Sequence, residues 1–458
     1  MVSVLYLTTF VVIALLCMRR IKKNKGISLF PIFLMTIAVL YLLVPAMIFL
    51  FGSYEKTNYD LVRIISDSTD SERVAIYFLV LLCVAAISIP QKVRISSTPY
   101  RNKLYSTDTY DVVRVRNISY DICRIWFWVL FLVGLGCTFI MIADIGLSGF
   151  IVYSGSSRGE GAMELQSGSL FAYASNFSRW LIASLAPGIL MYEIKKRPGM
   201  KVLLLFVFAL SVLLQIFNAG KTNFILFLIP VFIYIMTRKG SFKMTHLVLA
   251  GIAIVLLVPF LDNAFYYISN GEKIGNYRTS WNFLNYLMSV VRQFAYPYAN
   301  MVMREPITEI YGYRWFLDYL AVPVNLLPSF LFGGFELDTL YHLTTEYYTS
   351  ILSHKGGMPN DFLFFSYRQL GVVGVAIIGT ITGAIIKKLD KILFEVKDLL
   401  AILRINTSHF FTTYWLTGVV FILIEPLSVF TSFPTVVFSV IIAIHLNHRL
   451  RGAKILPK

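Results

Sequence analysis

Arg278, Arg292 and Arg314 stand among Trp281, Tyr296, Tyr298, Tyr311, Tyr313, Trp315, Tyr341, Tyr347 and Tyr348 in the interval from Asp262 to Asp361. A guanidinium fork grips a carboxylate or phosphate through two parallel hydrogen bonds, and a flat ring stacks on the apolar face of a sugar. The same rings can equally form an interfacial belt where the interval meets a membrane. The second half adds Glu336, Asp338, His342, Glu346, His354 and Asp361, which supply its candidates for a general base. Glu336-Leu337-Asp338 has the outline of an Asp-x-Asp metal site but no third ligand, so solvated surface is the better reading of that pair. No His/Cys set has zinc spacing, and no Ser-His-Asp order or Gly-x-Ser-x-Gly elbow occurs. No metal or cofactor is expected.

Three more cations stand inside or at the ends of apolar segments: Arg179, Lys221 and Arg368. A cation in hydrocarbon without a partner costs several kcal/mol, so each either snorkels to the headgroups or belongs to a site. Taken together they would form a cationic pocket at a membrane boundary, suited to a lipid phosphate or pyrophosphate. Gly220-Lys221-Thr222 invites a nucleotide reading, but residue 215 is Gln where a phosphate loop needs Gly, and the flanks are apolar. What survives is a tight turn whose backbone amides and one ammonium group can meet an anion.

The elements that must position these groups are membrane helices. Hydrophobic residues make up 57% of the 458, charged residues only 14%, far from a soluble domain. Apolar runs near the ~20 residues that cross a bilayer recur along the chain. They predict about eleven spans: Ser3–Met18, Ile27–Phe51, Val74–Pro90, Ile125–Ala143, Leu170–Tyr192, Val202–Phe217, Thr222–Thr237, His246–Leu261, Phe362–Ile386, His409–Ile424 and Ser428–Leu446. Every second loop in this scheme is basic, and 28 of the 41 Lys and Arg fall in those loops and the tail, which makes them cytoplasmic. The fold expected is an all-α polytopic integral membrane protein. Residues 1–261 hold the first eight helices, 262–361 form a large extracytoplasmic loop with short helices, and 362–458 hold the last three and a cytoplasmic tail. Within the loop, residues 315–332 are apolar but broken by Asp318, Pro323 and Pro328, so they predict a helix or re-entrant segment lying at the interface.

The net charge of +16 resides in cytoplasmic loops, where topology and anionic lipid explain it; nucleic acid is not an expected partner. The first helix lacks a basic region before it and is read as uncleaved. Cys17, Cys83, Cys123 and Cys137 lie in or beside spans or on the cytoplasmic side, where none can staple the outer loop.

The chain resembles the O-antigen and oligosaccharide repeat-unit polymerases of the Wzy type. The resemblance rests on the hairpin Asn218-Ala219-Gly220-Lys221-Thr222-Asn223 opening an apolar helix, the Pro-broken run Val322–Ser329, and His354-Lys355-Gly356-Gly357-Met358-Pro359 leading into Gln369-Leu370-Gly371-Val372-Val373-Gly374. It implies a GT-C-like architecture in the bacterial inner membrane. It also implies transfer of glycan between two undecaprenyl-pyrophosphate-linked repeat units on the outer face, with membrane lipid and a chain-length regulator protein as further partners. Members of the family commonly have Arg where Lys221 stands and an acidic residue near Ser366. On that reading Lys221, Arg292 and Arg368, then Arg179, Arg278 and Arg314, would meet the pyrophosphate or glycan, and His354 or Asp361 would be the base. A ligase with nearly the same parts is an alternative. A flippase is another, although it would be expected to show two similar halves and short loops.

Overall fold

The computed structural model describes residues 2–23, 28–51, 60–92, 109–156, 170–217, 283–326, 337–352, 358–402 and 434–452, with 224, 227, 228 and 249. Among the described residues all regular structure is helical. Six helices among the described residues are long and apolar enough to cross a membrane. Of the eleven expected spans, His409–Ile424 and all but residues 224, 227, 228 and 249 of Thr222–Thr237 and His246–Leu261 lie outside the described residues, so the full count rests on the sequence alone.

The first spans are α1 (Val2–Lys23) and α2 (Leu29–Phe51). A single π-helical turn at Val39–Leu43 interrupts α2 and carries the buried Tyr41. A short helix, α3 (Asp60–Asp67), leads to α4 (Asp70–Lys92), and α5 (Thr109–Ser156) follows with a bend at Gly146. The single expected span Leu170–Tyr192 is instead two helices, α6 (Leu170–Ser178) and α7 (Trp180–Ile194), meeting at Arg179. At that junction the Ser178 hydroxyl donates back to the Ser175 carbonyl at 2.8 Å, a contact that bends helices. Beyond it lies α8 (Pro198–Phe217).

The polar interval supplies α9 (Phe283–Gln293), α10 (Tyr296–Val302), α11 (Arg304–Tyr311), α12 (Leu317–Leu326) and α13 (Leu340–Leu352). Then come α14 (Phe362–Ile402), broken at Leu370-Gly371, and α15 (Pro434–Gly452).

The charge alternation can be compared with contacts at the two ends of the bundle. At one end Arg20 donates to the Gln91 side chain at 3.2 Å, and the Lys387 ammonium to the Pro90 carbonyl at 2.6 Å. The Asp390 carboxylate accepts the Leu29 N–H there at 2.7 Å. These residues come from four segments flanking loops expected on one side of the membrane. At the other end, the Tyr6 hydroxyl donates to the Arg73 carbonyl at 2.7 Å and lies 2.9 Å from the hydroxyl of Tyr298 in α10. The described part of the polar interval therefore docks, through Tyr298, on the end opposite Arg20, Gln91 and Lys387. Apolar side chains such as Val12, Leu16, Phe78, Leu132, Phe139 and Val202 are exposed along the spans, as a lipid-facing surface requires.

Without a hydrophobic force between helices in lipid, close approach depends on small residues. Gly383 of α14 lies against the Ile87 carbonyl of α4, and a Cβ at Gly379 would stand 2.9 Å from that of Ala86. Gly383→Leu would push these helices apart. Overpacking of this kind costs about 1–3 kcal/mol or more, so monodisperse protein extracted from membranes is expected to fall severalfold in size-exclusion profiles. A wild-type profile would show that α4 and α14 do not depend on this contact.

Candidate functional site at the broken helix

Helix α14 begins at a cap. Asp361 Oδ1 accepts the N–H groups of Leu363 at 3.1 Å and Phe364 at 3.0 Å, two of the donors that the first turn leaves open. Its Oδ2 accepts from the Asn300 side chain at 3.3 Å. The π turn in α2 brings the Tyr41 hydroxyl to the same place, 3.3 Å from the Leu363 N–H. Asp361 is fully buried, and burial pushes its carboxyl well above the usual carboxylate range. The residue expected as a base thus stands as a buried helix cap.

Two turns later the helix breaks. Leu370 (φ −153°, ψ 32°) and Gly371 (φ 59°, ψ −140°) leave helical geometry, so the Arg368 and Gln369 carbonyls lose their partners one turn ahead. The turn before α12 replaces them: Arg314 N–H donates to the Arg368 carbonyl at 2.8 Å and Trp315 N–H to the Gln369 carbonyl at 3.1 Å. Phe316 N–H adds a bond to the Gln369 side-chain oxygen at 2.8 Å. Trp315 (φ 50°) and Phe316 (φ 64°) are left-handed there. Bulky residues in that region cost on the order of 1–3 kcal/mol each and persist where the surroundings over-determine them. Glycine at 371 is required twice, because φ is positive and a Cβ would sit 3.1 Å from the Tyr313 hydroxyl.

Asp318 locks the turn to the helix. Its Oδ1 accepts from Arg314 Nη2 at 3.2 Å and the Leu340 N–H at 2.8 Å; its Oδ2 accepts from Arg314 Nε at 3.3 Å and Gln369 Nε2 at 2.8 Å. A carboxylate offers about four acceptor positions, so Asp318 is saturated. Arg314 also donates to the Asp338 carbonyl. Its charge is spent on this clasp.

Arg368 is different. It is 0% exposed, Nη1 donates to the Thr308 hydroxyl at 2.8 Å, and Nε and Nη2 have no acceptor among the described residues. A buried guanidinium with two donors open is suited to an anion that brings its own oxygens. On the adjoining wall, the Tyr367 hydroxyl donates to Glu305 Oε1 at 2.7 Å, and the Arg304 guanidinium lies 3.4 Å from the same oxygen.

Of the residues expected from the sequence, the structure joins Arg314 and Arg368. Arg179 is half-buried at the α6–α7 junction, whose helices pack chiefly on α5, α8 and α15. Arg292 occupies the last turn of α9, which packs on the C-terminal part of α2. Lys221, Arg278 and His354 lie outside the described residues. Ser366, where the resembling family has an acid, is buried and bonds back to the Phe362 carbonyl at 2.7 Å. Glu305 and Thr308 were not singled out from the sequence, and Gln369 entered only as the start of a motif. The only signal was the spacing of Glu305 and Thr308, which share one face of a helix. The interfacial expectation for residues 315–332 meets a short helix with Trp315 66% and Leu320 63% exposed and Asp318 turned inward.

No protein-family model, curated protein or solved structure matches this chain. What the observations define is an all-helical polytopic membrane protein with a buried cation at the break of one span.

Proposed function

We propose that this chain is a surface-polysaccharide polymerase of the O-antigen type. It transfers glycan from one undecaprenyl-pyrophosphate-linked repeat unit to another on the outer face of the bacterial inner membrane. The observation that supports the reading best is Arg368: a fully buried guanidinium in a membrane span, holding one neutral hydroxyl and keeping two donors open. Intramembrane cations mark substrate paths, and a pyrophosphate carries both the charge and the oxygens such a group needs.

In the reaction proposed, an acceptor hydroxyl attacks the anomeric carbon of the donor sugar and the lipid pyrophosphate leaves with the bonding electrons. Negative charge gathers on the leaving group, and a fixed guanidinium stabilises it in the transition state. Arg314 serves by anchoring the turn beside Arg368. Arg179 and Arg292, which lie on other parts of the bundle, have no part in this step.

The test is polymerisation by the purified protein in lipid nanodiscs, supplied with one defined lipid-linked repeat unit. A ladder of lengthening glycan is expected, and it is expected to persist in excess chelator because guanidinium groups carry the leaving-group charge. Loss of the ladder in chelator with recovery on adding a divalent cation would overturn the metal-free step. Absence of any ladder, in a deletion strain that still makes long chains on the carrier lipid, would instead make the protein a ligase.

A further inference from the structure

We infer that Glu305 is the catalytic base that takes the proton from the acceptor hydroxyl, an inference that rests on the polymerase reading above. The carboxylates around the break differ in what they have left to offer. Asp318 is saturated by Arg314, Gln369 and the Leu340 N–H. Asp361 is fully buried and holds the start of α14. Glu305 accepts one phenol on Oε1, pairs with Arg304 at 3.4 Å on that same oxygen, and its side chain is 53% exposed. A base must reach the hydroxyl that it deprotonates, and only this one of the three has both exposure and lone pairs to do so.

Two links place Glu305 beside Arg368. Its hydrogen-bond partner Tyr367 is the chain neighbour of Arg368, and Thr308, which receives Arg368 Nη1 at 2.8 Å, lies one turn along α11 from Glu305 on the same face. An anion held by Arg368 and an acceptor hydroxyl presented to Glu305 would therefore approach one another across the Thr308 turn. In the step, the acceptor O–H proton passes to Glu305, the oxygen forms a bond to the anomeric carbon, and the carbon–oxygen bond to pyrophosphate breaks with its electron pair going to the leaving group. Arg304 and Tyr367 orient the carboxylate, and the largely buried Arg304 is itself fixed through the Met301 carbonyl at 2.7 Å.

Glu305→Gln keeps the size and the acceptor for Tyr367 but cannot take a proton. In the nanodisc assay its kcat is expected to fall by about 10²–10⁴, with KM for the lipid-linked repeat unit within about threefold of wild type. Glu309→Gln, an exposed acid on the same helix, is expected to leave both unchanged. A Glu305→Gln kcat within about threefold of wild type, or a loss lying wholly in KM, overturns the inference while a polymerising wild type leaves the functional reading standing. A wild type that forms no glycan ladder overturns both. Should Glu305→Gln fail to accumulate in membranes, Glu305→Asp takes its place. Its carboxylate is one methylene short, so a drop of about a hundredfold in kcat is expected, as misplacement by about 1 Å can cost, and an unchanged kcat overturns the inference.

Discussion

Arg368→Met is expected to abolish long-chain glycan and at the same time to raise the thermal stability of the protein. The two effects share one cause. A fully buried guanidinium with two donors unmet among the described residues carries a desolvation cost that an arriving anion offsets. Replacing a whole buried ion pair by apolar side chains of similar volume is often neutral or stabilising by about 1–4 kcal/mol, and a buried cation with no carboxylate bonded to it gives up less Coulomb attraction than a pair does. Methionine fits the linear path of the arginine stem. Removing a group aimed at developing charge costs about 10²–10³ in rate, more where it is the principal cation. The nanodisc polymerisation assay measures the first effect, and unfolding followed by intrinsic fluorescence in nanodiscs, with and without undecaprenyl pyrophosphate, measures the second. Wild type should be stabilised by the lipid and Arg368→Met should not. A variant less stable than wild type and still stabilised by the lipid would show that the charge is balanced inside the fold and that the lipid binds elsewhere.

Asp318→Ala is expected to give the largest loss of stability among single substitutions at the site. It strands the Arg314 guanidinium, whose side chain is only 12% exposed, and leaves the Gln369 amide and the Leu340 N–H without acceptors. Removing one member of a buried pair costs about 3–5 kcal/mol because a charge stays behind unpaired. The strained Trp315-Phe316 turn relies on the same clasp, so the break in α14 would lose its cover. Arg314→Met combined with Asp318→Ala removes both charges together and is expected to recover at least about 1 kcal/mol relative to the sum of the single variants, the signature of direct coupling. Denaturation curves for the four proteins decide it. Additive effects, or an Asp318→Ala cost below about 1 kcal/mol, would mean that the clasp contributes little.

Much of the scaffold was legible in the residues alone. Long apolar runs announce membrane helices because each must satisfy its backbone internally, and the alternation of basic loops agrees with the end-to-end grouping of Arg20, Gln91 and Lys387 against Tyr6 and Tyr298. Arg368 stood out because a cation in an apolar run is rare whatever surrounds it. The division of labour among the charged groups was not legible. Nothing in the local sequence says that Arg314 is neutralised, or that Asp318 and Asp361 are committed while Glu305 stays open. Which arginine is neutralised and which carboxylate stays open depends on hydrogen bonds between residues about fifty positions apart, such as Gln369 to Asp318 and Tyr367 to Glu305.

The break in α14 belongs to the same class. Gln369-Leu370-Gly371 is compatible with an unbroken helix, and the turn at Arg314-Trp315 is compatible with a solvated loop. Each becomes what it is only against the other, because the carbonyls freed by one are satisfied by the amides of the other. Composition and periodicity determined that this chain is a bundle of membrane helices carrying a polar interval at the end opposite its basic loops. The tertiary structure decided which cation keeps two donors unmet among the described residues, since a local pattern sets where a side chain begins but only packing sets which donors and acceptors it meets.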